Sequence, residues 1–463
     1  MTEGTRQSLT RRELLRRAGT AAAGTTLLAT FPHEARAEPR RAGAFTGTLR
    51  VLGVGAGELD EIKRQAERDL GFKVAFTVTG GDVVVHKAIT EPASFDVLGH
   101  FFWTYDLVWR NRGLQPIDTR RITRWREVND LFKYGKIRRG DPRCTYGQGD
   151  APFRLMYLDD SGRYPVSRDV LPGAKGIVQW IDERSGKPHG GLPEPRYVDG
   201  VPGYFNVDAI GYNARVLPRP PERVSWAELF NARWRGRVAL YTGGQIGFLD
   251  TGCAAEAAGL MRFRNKGDMS RGEIDRLVKI LVKLKKQGHF HGYWDETSTA
   301  KAVEFMLSGA VVVESIWAAQ VAALQAKGFP VRYAAPPEGF RGWSNGFAIS
   351  SAIKDPARLQ AAYDYINWWH SGPPGAVTMR LGYYNAVQAT SRKFVDPAEW
   401  DYWIDGKPAA KNLPGVAGAV TIRKGQVREG GSFARRACRY ACWNSIFREH
   451  AYQERRWHDF RSA

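Results

Sequence analysis

Between residues 48 and 98, short apolar runs alternate with segments of helical spacing. Thr48–Val54 reads as a strand, Leu59–Leu70 as a helix, Phe72–Val78 as a strand, Asp82–Ile89 as a helix and Phe95–Leu98 as a third strand. Strands that alternate with helices predict a parallel sheet covered on both faces. A second set begins near Val201. Ala209–Tyr212 reads as a strand, and Ser225–Phe230 as a short helix entered through Ser225 as its cap. Arg237–Tyr241 and Ala310–Val313 read as buried strands. Ser270 and Glu273 form a capping-box pattern ahead of Ile274, Leu277, Leu281 and Leu284, and Gly288 closes that helix. Asp355-Pro356 opens another helix, with Leu359, Tyr363, Ile366 and Trp369 on its apolar face. The spacing of Phe433, Ala437, Tyr440 and Phe447 predicts one long amphipathic helix over Ser432–Phe460.

The stretch between the two sets, from Lys133 to Tyr197, is rich in Gly, Pro, Arg and Asp and has little periodicity. The organisation expected is therefore an α/β fold of two lobes. Lobe 1 takes residues 45–132 and 340–463, with a C-terminal helical extension; residues 133–200 form an irregular insertion; lobe 2 takes residues 201–339. Two α/β lobes suggest a hinged clamp, with a ligand held where the lobes meet.

The amino terminus changes the picture of where the clamp works. Thr10-Arg11-Arg12-Glu13-Leu14-Leu15-Arg16 reads as a twin-arginine signal, followed by a mildly apolar stretch from Ala18 to Phe31 and a small-x-small cleavage site at Ala35-Arg36-Ala37. That order predicts a removable export signal over residues 1–37 and a periplasmic protein. The removed piece would carry six arginines and three glutamates, so the rest of the chain keeps most of the net charge of +20. The basic residues are dispersed and mixed with acids, and export argues against a genomic partner, so no nucleic acid is expected. Four cysteines, Cys144, Cys253, Cys438 and Cys442, allow three disulfide pairings in an oxidising compartment. Cys438 and Cys442 are four apart in the expected helix, where a bond between them is difficult. Buried thiols are the expectation for at least two of the four.

Motifs for enzyme chemistry are missing. There is no G-x-S-x-G, no H-E-x-x-H and no phosphate-binding G-x-x-x-x-G-K-[ST]. Gly53-Val54-Gly55-Ala56-Gly57-Glu58 resembles a dinucleotide turn, but Glu58 stands where the third glycine belongs. It reads instead as a tight strand-to-helix turn at the cleft edge. His289 and His291 beside Asp295 and Glu296, and the adjacent phenols of Tyr383 and Tyr384, offer metal ligands. A polar loop and ordinary packing account for them as well, and no metal or cofactor is expected. Aromatic residues cluster just after expected strands: Phe101-Phe102-Trp103 with Tyr105, Tyr204-Phe205, Trp317 and Trp343. The carboxyl ends of strands face the ligand crevice in open α/β sheets.

Several segments resemble the extracellular solute-binding proteins of the spermidine/putrescine type. They are Phe95-Asp96-Val97 with Gly113-Leu114-Gln115-Pro116-Ile117-Asp118; Val201-Pro202 through Ala209-Ile210-Gly211-Tyr212-Asn213; and Ser225-Trp226-Ala227-Glu228-Leu229 with Trp234-Arg235-Gly236-Arg237-Val238. Gly309-Ala310-Val311 with Trp317, Pro336-Pro337-Glu338-Gly339 with Gly342-Trp343, and Gly382-Tyr383-Tyr384-Asn385 complete the set. The resemblance implies a periplasmic-binding-protein-like fold, a small-molecule ligand between two lobes, and docking onto the membrane permease of an ABC importer. It implies no enzyme activity, and a monomer is expected. By position Phe102, Tyr105, Trp317 and Trp343 match the family's ligand contacts, and Phe205, Thr242, Gly243, Gly244, Asn345 and Tyr384 complete the expected site. Where the family carries acids, this chain has Asn345 and Thr242-Gly243-Gly244-Gln245. Polyamine capture needs carboxylates, whereas a glycine pair before a helix presents backbone N–H groups that suit an anion. The expected cargo is a polyamine-like solute or a zwitterionic or anionic relative. A ferric-ion binder and an exported enzyme on the same scaffold are the alternatives.

Overall fold

Two long strands, β4 (Val201–Asn213) and β9 (Phe340–Ser350), lie at the centre of the sheet, and every residue in both is buried. They are defined here in a computed structural model that describes residues 45–138, 141–170, 178–182, 188–189, 196–295, 298–416 and 418–463. The expected export signal lies outside the described residues.

On one side of the long strands stand β1 (Thr48–Gly53), β2 (Lys73–Val78) and β3 (Val97–Phe101), mutually parallel around β1, with helices α1 (Asp60–Leu70) and α2 (Gly81–Thr90) in the connections. On the other side stand β5 (Val238–Tyr241), β6 (Phe290–Trp294) and β7 (Val313–Ile316), parallel around β5. Their connections carry α3 (Gly244–Ala257), α4 (Arg271–Lys286) and α5 (Thr299–Leu307). α6 (Ala318–Ala326) and β8 (Val331–Tyr333) follow, then β9 and α7 (Pro356–Ser371). The strand order is β6-β5-β7-β4-β9-β3-β1-β2. The first part of β4 pairs antiparallel with β9, from Val201 opposite Phe347 to Asp208 opposite Arg341. Its remainder, Ala209–Asn213, pairs with β7 and β8. The far end of β9 pairs antiparallel with β3. β4 and β9 are thus the two strands that pass from one parallel half to the other.

Local signals in the chain hold where they are strongest. The Ser270–Glu273 capping box forms in both directions, and the Asp355 carboxylate accepts from the N–H groups of Ala357 and Arg358. Tyr363, Ile366 and Trp369 on α7 are buried as expected. Trp369 stacks on Tyr204 of β4 and tilts against Phe347 of β9, so this helix covers the point where the long strands pair.

The C-terminal segment differs from the expected single helix. It contains a turn of helix (Phe433–Arg436), a strand β10 (Tyr440–Trp443) and a final helix α8 (His450–Ser462). A disulfide joins Cys438 to Cys144, and β10 adds to β9 in parallel. The Tyr440 N–H donates to Thr145 Oγ1 at 2.7 Å and the Trp443 N–H to the Gln148 carbonyl at 2.6 Å. Backbone donors that an isolated segment would satisfy four residues back are met by residues 145–148 instead. Cys, Tyr and Trp also favour strands over helices. β10 and two-residue strands at Leu114–Gln115 and Tyr384–Asn385 bring the sheet to twelve strands among the described residues. The insertion contributes small sheets of its own, including Val166–Val170, Val178–Asp182 and Pro188–His189. Cys253 and Cys442 are buried free thiols.

The strand expected at Ala310–Val313 lies three residues later, at Val313–Ile316. It runs through Glu314, which is fully buried and has no hydrogen-bond partner among the described residues on either carboxylate oxygen. Likewise the strand expected to end at Leu98 continues through Gly99 and His100. A buried charge or polar ring breaks the apolar pattern that marks a strand. Burial pushes the Glu314 carboxyl well above its ordinary value of 4.5. The folded chain therefore holds the proton while the unfolded chain releases it above that pH. Stability falls as pH rises from 4.5 toward the folded value, by about 1.4 kcal/mol per pH unit. Glu314→Gln should raise the thermal midpoint at pH 7.5 and lose that advantage near pH 4. An equal gap at both pH values in thermal melts would refute this account of Glu314.

Candidate functional site

Side chains alternate across a strand, so the paired stretch of β4 and β9 has two different faces. One face carries Tyr204, Asn206 and Asp208 opposite Asn345, Trp343 and Arg341. The other carries Phe205 and Val207. The first face forms a strip whose polar ends are unequal. At one end Arg341 is 1% exposed and donates to Asp250 Oδ1 at 2.6 Å and to Asn444 Oδ1 at 2.8 Å; Asp208 lies 3.4 Å away. Ser315 Oγ donates to the other Asp250 oxygen at 2.6 Å. Burial pushes the Asp208 carboxyl up to about 6, against the pull of Arg341. A buried cation paired this way ties β9 to α3, β7 and the C-terminal segment.

At the other end the polar groups are not paired. Tyr204 OH, Asn206 Oδ1 and both side-chain polar atoms of Asn345 are buried and have no partner among the described residues. Tyr204 stacks on Tyr383, and Trp343 sets its ring edge-on to both Tyr204 and Tyr383. Phe101, opposite Asn345 in the register of β3, meets Trp343 edge-on and stacks on Trp103.

Glu58 borders this aromatic wall. Its Oε2 accepts the N–H groups of Gly55 at 2.8 Å and Gly57 at 3.4 Å. The carboxylate lies over the carboxyl end of β1 and the middle of β3. A Cβ at Gly53 would stand 2.3 Å from Glu58 Oε1, and one at Gly99 would stand 2.5 Å from it. A Cβ at Gly57 would stand 2.8 Å from Tyr204 OH. The glycine-rich turn thus holds a carboxylate beside β1 and β3 and, at Gly57, comes close to a phenol. Burial raises the Glu58 carboxyl to about 7, although the two N–H bonds favour its ionised form.

The opposite half presents Trp317, partly buried, packed against Tyr241 and Trp294 at ring separations of 5.0 Å each. Thr242 is buried; its hydroxyl donates to the Trp294 carbonyl and its own carbonyl accepts from the Trp457 indole. Gly243 and Gly244 differ from the expectation that their N–H groups face a ligand anion. A Cβ at Gly243 would meet the Tyr241 hydroxyl at 2.0 Å, and one at Gly244 would meet Glu454 Oε1 of α8 at 2.1 Å. The chain places its own carboxylate at the start of α3, where helix N–H groups favour negative charge.

The expected site residues thus divide. Trp343 and Asn345 lie on the strip and Trp317 lies on the opposite wall. Phe102, Tyr105, Phe205 and Tyr384 are all 0% exposed. Phe205 and Tyr384 pack on each other and on Phe433, on the face away from the strip. The Phe102 ring packs against Gly346 and Tyr105, and the Tyr105 hydroxyl donates to the His100 carbonyl at 3.0 Å. Their immediate neighbours Phe101, Tyr204 and Tyr383 face the strip instead. Tyr383 and Tyr384 point to opposite faces and cannot close on one ferric ion. His289 is buried on the Leu229 carbonyl and His291 is exposed against Phe305, so this pair does not converge either. Glu58, Asn206 and Asp208 were not expected at the site. The period-two alternation counted outward from Trp343 finds Asn345 but not its partners, because the register against β4 is not local.

Two parallel α/β halves bridged by two long crossing strands, with the strip at the crossing, define the periplasmic-binding-protein fold. Solved structures share it. A putative spermidine/putrescine ABC transporter from Listeria monocytogenes aligns over 89% of this chain and 98% of its own at 12% identity, TM-score 0.54. The spermidine/putrescine ABC transporter substrate-binding protein PotD from Streptococcus pneumoniae, solved with calcium and HEPES, aligns over 90% and 99% at 12% identity, TM-score 0.53. The TpPotD lipoprotein of Treponema pallidum aligns over 90% and 100% at 12% identity, TM-score 0.53. At such identity the likeness is one of fold. The bacterial extracellular solute-binding protein model matches residues 168–405, about half of the chain, and the chain belongs to that family. It is a solute-binding protein.

The unequal ends of the strip give a contrast that stability measurements can read. Arg341→Met leaves Asp208 and Asp250 buried without their cation and should cost about 3–5 kcal/mol. Tyr204→Phe removes a hydroxyl that has no partner among the described residues and should change stability by less than about 1 kcal/mol. Urea unfolding of both variants checks this; a comparable loss in both would refute the assignment.

Proposed function

We propose that this chain is the solute-capturing component of an ABC importer working outside the cytoplasmic membrane, and that its cargo carries an ammonium group held at Glu58. The observation that carries the cargo class is a Glu58 carboxylate held by the glycine-rich turn, whose Gly57 borders Tyr204 in the aromatic wall of Trp343 and Tyr383. An ammonium there pairs with the carboxylate and lies among ring faces that attract cations. Asn345 offers one acceptor and one donor to the rest of the solute. An anionic cargo is disfavoured twice, by Glu58 and by Glu454 at the start of α3. A small organic amine, such as a polyamine or an amino acid bound through its amine, fits these groups better than a carboxylate or phosphonate.

The transport role is supported by the family and by two structural neighbours that are spermidine/putrescine ABC transporter proteins, one of them putative. The twin-arginine pattern of Thr10–Arg16 supports export of the folded chain with cleavage after Ala37. A ligand that binds between the halves would favour their closure, and the closed form would be the one a permease recognises. The reading includes a monomer, no nucleic-acid partner and no catalysis.

Calorimetric titration with mono-, di- and polyamines and with size-matched carboxylates tests the cargo class. An amine should bind, and Glu58→Gln should weaken it at least tenfold, about 1.4 kcal/mol. The ammonium needs ionised Glu58, whose carboxyl sits at about 7 in the empty protein. Affinity should therefore fall as pH drops below that value, and this dependence should vanish in Glu58→Gln. Preferred binding of the carboxylates, or undiminished amine affinity in the variant, would overturn the reading.

A further inference from the structure

The two free cysteines have no place in the strip, yet they come from distant parts of the chain and meet. Cys253 is on α3 and Cys442 on β10, 189 residues apart, with their sulfur atoms 3.5 Å from each other. Cys253 lines a cavity of about 360 Å³ together with Gln148, Glu256, Lys266, Glu338 and Tyr440. Lys266 is nearly buried and ion-paired with Glu256. The hydrogen bond from the Cys253 thiol lowers the pKa of Cys442, and the charges of Lys266 and Arg341 act in the same direction. The two sulfurs thus share a proton beside a fixed cation, which is the setting that favours a thiolate.

We propose that Cys253 and Cys442 form a redox-modifiable dithiol, oxidised to an intramolecular disulfide by a low-molecular-weight disulfide that enters this cavity. Cys253, which lines the cavity, passes the shared proton to Cys442 and attacks one sulfur of the incoming disulfide as the thiolate. The external S–S bond breaks, a mixed disulfide forms on Cys253, and the first thiol leaves with the displaced proton. The Cys442 thiolate then attacks the Cys253 sulfur at contact distance. The mixed disulfide breaks and the second thiol leaves as a thiolate that takes its proton from water. The protein sulfurs lose two electrons in all, and the external disulfide is reduced to two thiols.

The consequence lies in what the new bond would join. Cys438, four residues before Cys442, is already bonded to Cys144. A Cys253–Cys442 bond would pin the other end of this segment to α3, in the half that carries Tyr241 and Trp317. β10, which extends β9, would then be held at both ends.

The test uses the full chain after export processing and glutathione disulfide as the probe. Protein is incubated in buffers of increasing oxidised-to-reduced glutathione ratio, alkylated under denaturing conditions and analysed by peptide mass spectrometry. Two alkylated cysteines, 253 and 442, are expected in reducing buffer. None is expected in oxidising buffer, where a Cys253–Cys442 linked peptide should appear. The Cys144–Cys438 peptide serves as an internal reference for folding. In Cys442→Ser the first step has no second, so Cys253 should accumulate as a glutathione adduct. In Cys253→Ser, Cys442 should acquire little or none. Lys266→Met should slow oxidation at least tenfold. Two alkylatable thiols persisting in oxidising buffer would overturn the proposal, as would equal adducts in the two serine variants.

Discussion

The antiparallel pairing of β4 with β9 is the constraint on which the rest of the structure depends. These strands are the shared wall of two parallel half-sheets, and their register sets which side chains meet at the crossing. Tyr204 opposite Asn345, Asn206 opposite Trp343 and Asp208 opposite Arg341 all follow from it. A slip of one residue would turn Phe205 and Val207 toward the strip and bury the polar set in an apolar layer. Helix α7 guards the register from the strip's own face, because Trp369 packs on Tyr204 and Phe347 at once.

The strip treats its polar groups in two ways, and that difference separates support from recognition. Around Arg341 the cation is met by Asp208, Asp250 and Asn444, and the group is a rigid bolt between the halves. Near Glu58 the partners are incomplete: a phenol, an amide and a carboxylate lie among rings without satisfying one another. Buried polar groups are ordinarily bonded, and under the proposed function the unbonded capacity of this cluster is turned toward the cargo. The glycines at 53, 57 and 99 make room for this, and any side chain there would displace the carboxylate or the phenol.

The C-terminal extension belongs to the same logic. β10 extends β9, the Cys144–Cys438 disulfide fastens it, and α8 then lies across α3 and α4. Trp457 bonds to the carbonyl of Thr242, and Glu454 stands against Gly244. A helix start that would otherwise attract an anionic solute carries an internal carboxylate, so under the proposed function the extension takes part in selecting the charge of the cargo.

Legibility in the sequence followed the range of the interaction. The capping box at Ser270, the cap at Asp355, the apolar face of α7 and the alternation of strand and helix at both ends of the sheet are local, decided within a few residues, and the spacing predicts them. The family resemblance brought Trp343, Asn345 and Trp317 to the strip and its facing wall, because each lies in a segment whose order along the chain is itself a signal. The reading failed where a distant partner decides. The segment after Ser432 has helical spacing, but residues 145–148 and the bond at Cys438 make part of it a strand. Glu314 and His100 break the apolar pattern of strands whose neighbours bury them. In three places, Phe102, Phe205 and Tyr384, the adjacent aromatic residue is the one that faces the strip, because in a strand one position is the difference between two faces. The chain by itself determined the elements and the two-lobed α/β plan, since propensity and periodicity act over one or two turns. Only the tertiary structure decided the faces, the ion network and the seat of Glu58, since those depend on a register between strands that begin about 140 residues apart.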